Sequence, residues 1–184
     1  MLTSTRRRLW WRHLMSVLLF PVTVTLVVPA LIVFPAGLRA PHFGVTPTIA
    51  LVTVGCLLIA AGLGLMIWTN VLFDRVGEGT LGLGPVMGEP VHLVVRGPYR
   101  HVRNPMITGV LCILLGEAAV TASGSLLLWF AIFFAFQATA IRFWEEPHLV
   151  GRYGDEYVAY RRNVPRWIPR ISAWDPAPAV RDDS

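Results

Sequence analysis

From Thr48 to Phe73 the chain runs 26 residues without a charged side chain. About 20 apolar residues cross the hydrocarbon of a bilayer, where each backbone N–H and C=O must be satisfied within the segment. A stretch of this kind is therefore expected to be a transmembrane helix. Three more apolar runs accompany it: Leu14–Leu38, Met106–Val120 and Leu126–Trp144. At 184 residues and 54% hydrophobic, the chain holds more apolar side chains than a soluble domain of its size would bury. The expected fold is all-α: an integral membrane helical bundle with about four transmembrane helices.

The charges agree with that reading. All sixteen basic residues are arginine, and the net charge is +5. They stand beside apolar runs and form no basic face interleaved with exposed aromatics, which argues against nucleic acid as a partner. Four arginines precede the first run, four lie in 74–103 and six in 142–170, against one in the 39–47 loop. Positive charge stays on the cytoplasmic side, so both termini are expected there, in the inner membrane, with a juxtamembrane helix after the fourth span. Arg6, Arg7 and Arg8 beside Trp10 and Trp11 could also open a secretory signal, but the run that follows is long for a signal core and no small-x-small cleavage site closes it. Residues 1–170 read as one domain, two N-terminal spans in 1–73 and a functional core in 74–170, followed by a flexible tail over 171–184. Gly55, Ala60, Gly62 and Gly64 are spaced for close helix approach. Cys56 and Cys112 lie in apolar runs without ligand spacing, so neither a disulfide nor a metal site is expected.

The polar passage VHLVVRGPYRHVRNPMITG, residues 91–109, is set directly against the third run. The Glu145–Glu146 pair closes the fourth, and the short Thr121–Ser125 connection makes the two runs an antiparallel hairpin. The passage and the carboxylates therefore emerge on the same side of the membrane. Two carboxylates at a membrane boundary require compensation, from Arg103, Arg142 or a bound cation. A purely structural reading, ion pairs on a solvated helix, is equally open from these residues alone. The run GEGTLG is no dinucleotide fingerprint, because no βαβ unit flanks it. Gly154 is expected to interrupt the helix that follows, with Leu149, Tyr153, Tyr157 and Tyr160 as an apolar stripe.

GPYRHVRNPMITG followed by EEPHLVGRYGDEYVAYRRNVPRWIP resembles the isoprenylcysteine carboxyl methyltransferase and phospholipid methyltransferase superfamily of membrane enzymes. The likeness covers roughly 77–170. It implies S-adenosyl-L-methionine as methyl donor and a lipophilic small molecule or lipid as acceptor, entering from the bilayer. Carried over, the cofactor-binding residues are Val91, His92, Leu93, Val94, Tyr99, Asn104, Pro105, Met106, Ile107 and Glu145; to these the chemistry adds the Gly97 backbone, for the adenosine or amino-acid portion, and Arg103, to neutralise a carboxylate. Arg142 and Glu146 are the catalytic candidates, the first to orient an acceptor oxygen, the second as proton acceptor or cation partner. The chain departs from the family pattern at Asn104, where the family has histidine, at Ile107, where it has tyrosine, and at Ile141, where the prenylcysteine enzymes carry an arginine. Sterol-type reductases resemble the same superfamily, so an NADPH-dependent membrane reductase is one alternative function; a non-enzymatic membrane subunit is another.

Overall fold

The computed structural model describes residues 20–36, 44–76, 93 and 95–175, with side chains 73–76 excepted. Val91, His92 and Val94 lie outside the described residues. Among those described the chain is all-helical, with no strand. A π turn, Thr23–Val27, leads into α1 (Val28–Ala36). After it come α2 (Val45–Val76), a 3₁₀ turn (Gly97–Arg100), α3 (Pro105–Thr121), α4 (Gly124–Ala140), a second π turn (Ile141–Glu145) and α5 (Glu146–Asn163).

Two continuous helices, Val45–Leu72 and Gly124–Asn163, are long and apolar enough to cross a membrane. Phe20–Pro35 and Pro105–Thr121 are equally apolar but shorter. At 1.5 Å per residue a 17-residue helix such as α3 is about 26 Å long, a little less than the usual hydrocarbon thickness. Large apolar side chains point outward along these helices, among them Leu31, Leu57, Ile67, Leu128 and Phe136. In water such a belt would be an aggregation surface; in lipid it is the ordinary exterior.

The core forms where α2, α3 and α4 meet the N-terminal segment. Val24, Val110, Leu111, Leu114 and Phe133 are buried together, with Met66 and Ile107 packed against them. α2 and α3 run antiparallel at backbone contact. A Cβ on Gly62 would lie 2.5 Å from the Gly109 carbonyl oxygen, and one on Gly116 would lie 2.7 Å from the Gly55 carbonyl oxygen. Both glycine pairs are spaced by seven, so one seam serves both helices. Of the four small residues singled out in the sequence, Gly55 and Gly62 line this seam, whereas Ala60 and Gly64 face outward.

The α3–α4 hairpin turns within two residues. Ala122 adopts a left-handed conformation (φ 46°), and the Ser123 hydroxyl accepts the Leu126 N–H at 3.4 Å. Each π turn is followed, two residues after its end, by a proline: Pro29 after Thr23–Val27 and Pro147 after Ile141–Glu145. A proline ring clashes with the carbonyl four residues back and donates nothing to it, and a widened turn relieves that clash. The second π turn also sets direction. Phe133, Gln137 and Ile141 are buried at intervals of four, and the next buried position is Glu146, five further on. Its N–H bonds the Ile141 carbonyl. The extra residue carries Glu146 to the interior face and leaves Arg142, Phe143, Trp144 and Glu145 exposed.

Candidate functional site

Three segments converge at one end of the bundle: the loop 95–104, the start of α5, and an extended strap over 164–175. The strap is pinned by backbone bonds in antiparallel order. Arg103 N–H donates to Pro165 O (2.9 Å), Arg170 N–H to His101 O (3.0 Å) and Trp174 N–H to Arg100 O (3.0 Å). Proline punctuation keeps the strap out of a helix, and an extended chain presents its backbone groups to a neighbour. His101 Nδ1 lies 2.8 Å from the Arg170 carbonyl, which only accepts, so that nitrogen carries the proton. Arg100 pairs with Asp175 at the outer edge. The contacts of the strap reach as far as Asp175.

Glu146 is the centre of the charged site. Its Oε1 accepts from Arg103 Nη1 at 2.6 Å and from Arg166 Nε at 2.9 Å, and its Oε2 accepts from Arg166 Nη2 at 2.8 Å. The Glu146 side chain is 5% exposed and that of Arg103 9%. At such burial the desolvation penalty of each ion is large, and loss of one partner leaves an uncompensated charge. Arg103 also lies in the electrostatic environment of the Tyr157 hydroxyl, and its Nε is buried without a partner among the described residues. Glu146 is thus held between two guanidinium groups.

Tyr157, Tyr160 and Val164 form a second buried cluster, with Leu93, Val95, Leu149 and Tyr153 packed on it. The apolar stripe expected on this helix therefore packs against Leu93 and Val95. Gly154 leaves helical geometry (φ 54°, ψ −132°), which divides α5 as its sequence suggests. The Tyr160 hydroxyl donates to the Tyr99 carbonyl at 2.7 Å and ties α5 to the 3₁₀ turn. Burial, and secondarily the Glu145 charge, hold the Tyr99 phenol above its ordinary pKa, so Glu145 and Tyr99 share one electrostatic environment.

The remaining expected site residues fall in two groups. Gly97 has φ +53°, and a Cβ there would meet Trp68 Nε1 at 3.3 Å, so the turn needs glycine for conformation and space. Asn104 precedes α3, half-buried, with a side chain that does not cap the helix; Pro105 is buried at its first position, where a missing N–H costs nothing. Met106 is half-buried and Ile107 belongs to the main core. Arg142 is exposed, its guanidinium 5.8 Å from the Phe143 ring centroid. Arg166 was not among the residues the sequence singles out. Its signal lay in VPRWIP, but nothing in that string reveals a carboxylate twenty residues earlier as its partner.

A helical bundle with an apolar exterior and a clamp of buried charges at one end defines a class, helical membrane proteins with a charged cluster at one end of the bundle. Within that class the chain belongs to the phospholipid methyltransferase family, whose profile matches residues 50–156, more than half of the sequence. It is also 39% identical over 85 residues to the protein-S-isoprenylcysteine O-methyltransferase of Schizosaccharomyces pombe (strain 972 / ATCC 24843), a stretch covering 43% of this chain and 34% of that protein. The chain thus spans about a third of the length of that relative. No solved structure matches it.

Proposed function

We propose that this protein transfers a methyl group from S-adenosyl-L-methionine to a small lipophilic acceptor at the cytoplasmic face of the inner membrane. The observation that carries the reading is the Arg103–Glu146–Arg166 clamp next to Glu145 and Tyr99, which share one electrostatic environment, with all of these residues but Arg166 inside the segment that matches a methyltransferase family. The donor is zwitterionic in its amino-acid part and cationic at sulfur, and the chemistry of these residues fits it. The buried, unpartnered Arg103 Nε–H suits a carboxylate, and the exposed Glu145 carboxylate suits an ammonium or ribose hydroxyl. When bound, S-adenosylmethionine supplies an electrophilic methyl group for in-line displacement.

The chain's own tasks are then alignment and exclusion of water. Leu93, Tyr99 and the Asn104–Ile107 segment line the cofactor, and the family resemblance adds Val91, His92 and Val94 as cofactor residues. Tyr99, neutral through the physiological range, packs and donates a hydrogen bond without acting as a base. Glu146 positions Arg103 and the strap. Arg142, exposed on the membrane-facing π turn, orients a polar oxygen of the acceptor. Four spans with both termini cytoplasmic set this site on the arginine-rich side, which the charge distribution supports.

The direct test is incubation of purified protein with methyl-labelled S-adenosylmethionine and a host lipid extract, with products identified by mass spectrometry. Label in a lipophilic product is the expected result. Binding of NADPH with neither binding nor turnover of S-adenosylmethionine overturns the reading.

A further inference from the structure

We propose that Asn70 is a further cofactor-contacting residue, its amide oxygen accepting a hydrogen bond from an N–H or O–H of S-adenosylmethionine; this rests on the function proposed above. Asn70 stands near the end of α2, far in sequence from the motif, and nothing in the sequence draws attention to it. Its Nδ2 donates to the Met66 carbonyl at 2.9 Å. That bond settles the orientation of the amide, because the flipped form would set two oxygens against each other. Oδ1 is left pointing away, shielded from solvent and without a donor.

The register of the α2–α3 seam locates it. Gly55 meets Gly116 and Gly62 meets Gly109, so α2 beyond Gly62 runs on past the start of α3, and Thr69, seven residues beyond Gly62, is fully buried. Independently, Gly97 lies against Trp68 and Leu72. Asn70 is thus level with the 102–106 segment that opens α3. Met66, one turn back on its own column, touches the Gly109 position and packs in the same cluster as Ile107. Asn70 therefore faces the side of α3 that carries the proposed cofactor residues.

Four buried side-chain polar atoms lack a partner among the described residues, and three of them, Asn70 Oδ1, Arg103 Nε and Thr108 Oγ1, flank the start of α3. A buried amide oxygen without a donor is unfavourable, and native proteins keep few of them. Concentrated at one end of one helix, they describe a surface that a polar ligand completes. Oδ1 only accepts, so its partner is a donor: the ammonium, a ribose hydroxyl or the adenine amine. Arg103 Nε–H is the complementary donor for the carboxylate.

The test is calorimetric titration of purified protein with S-adenosylhomocysteine and with 5′-methylthioadenosine, which lacks the amino-acid portion, alongside melting curves without ligand. Asn70→Leu removes the orphan oxygen at similar size. It is expected to bind S-adenosylhomocysteine about tenfold more weakly than the wild type, while melting at the same or a higher temperature when ligand-free. Asn70→Ser, too short to reach, should show the same loss and serves if the leucine variant does not fold. Equal weakening toward methylthioadenosine assigns the bond to ribose or adenine, and unaltered methylthioadenosine binding assigns it to the ammonium. Wild-type affinity in both variants overturns the proposal and leaves the proposed function standing. A wild-type protein that binds neither nucleoside removes that function and this assignment with it.

Discussion

Two adjacent glutamates have opposite fates, and the difference comes from a single extra residue in a helical turn. Glu146 is turned inward onto two guanidiniums while Glu145 stays exposed beside Tyr99. Glu146→Gln leaves Arg103 and Arg166 facing a neutral amide, and breaking a buried pair typically costs about 3–5 kcal/mol. Thermal or denaturant unfolding in detergent should register that loss. Glu145→Gln should alter stability by less than about 0.5 kcal/mol, as for other exposed substitutions. Under the proposed function it instead lowers S-adenosylhomocysteine affinity in a titration, so the two variants separate structure from binding. Tyr99 yields a pH prediction. Its folded-state pKa is raised, so the folded protein keeps the phenolic proton after the unfolded chain has lost it. Its favourable share of stability is therefore complete below the ordinary tyrosine value of about 10 and is lost as the pH climbs beyond it. Tyr99→Phe should flatten the alkaline limb of a stability–pH curve and leave the neutral region unchanged.

At the scale of elements, the α2–α3 seam is the strictest requirement in the fold. The Gly62 and Gly109 backbones touch, and any side chain at either position forces the helices apart. Gly62→Val should fail to accumulate or unfold well below the wild type, because rigid helices cannot yield locally as a flexible side chain would. Gly64→Ala is the matched control. A Cβ there meets nothing within 4 Å, so the helix gains up to about 1 kcal/mol from the better helix former. Small-residue spacing was visible in the sequence, yet only the packed pair separates Gly62 from Gly64. Hydropathy places both in the same apolar run, and neither carries a side chain that would betray its face.

For the whole molecule, the strap joins the charged clamp to the polar loop across a long stretch of chain. Ending the protein after Asn163 removes Arg166 together with the backbone bonds from Pro165, Arg170 and Trp174. Membrane insertion should survive that truncation, since the candidate spans are untouched, but the melting temperature should fall as Glu146 loses its bidentate partner. Ending it after Asp175 retains each of these bonds and should behave as the wild type. What the amino-acid sequence determined by itself was the helical class, the apolar spans, the tight α3–α4 turn and the closeness of the loop carrying Tyr99 and Arg103 to the glutamate pair. Those features follow from local composition and from connections too short to permit another arrangement. Only tertiary structure decided that Glu146 is the clamped carboxylate, that Arg166 holds it and that the Asn70 amide oxygen is buried without a donor among the described residues. Each depends on the angle at which a side chain leaves its helix and on partners distant in sequence. Such angles are set by the π turn and by the glycine seam, where one residue more, or one methyl group more, would reorient the face that meets its neighbour.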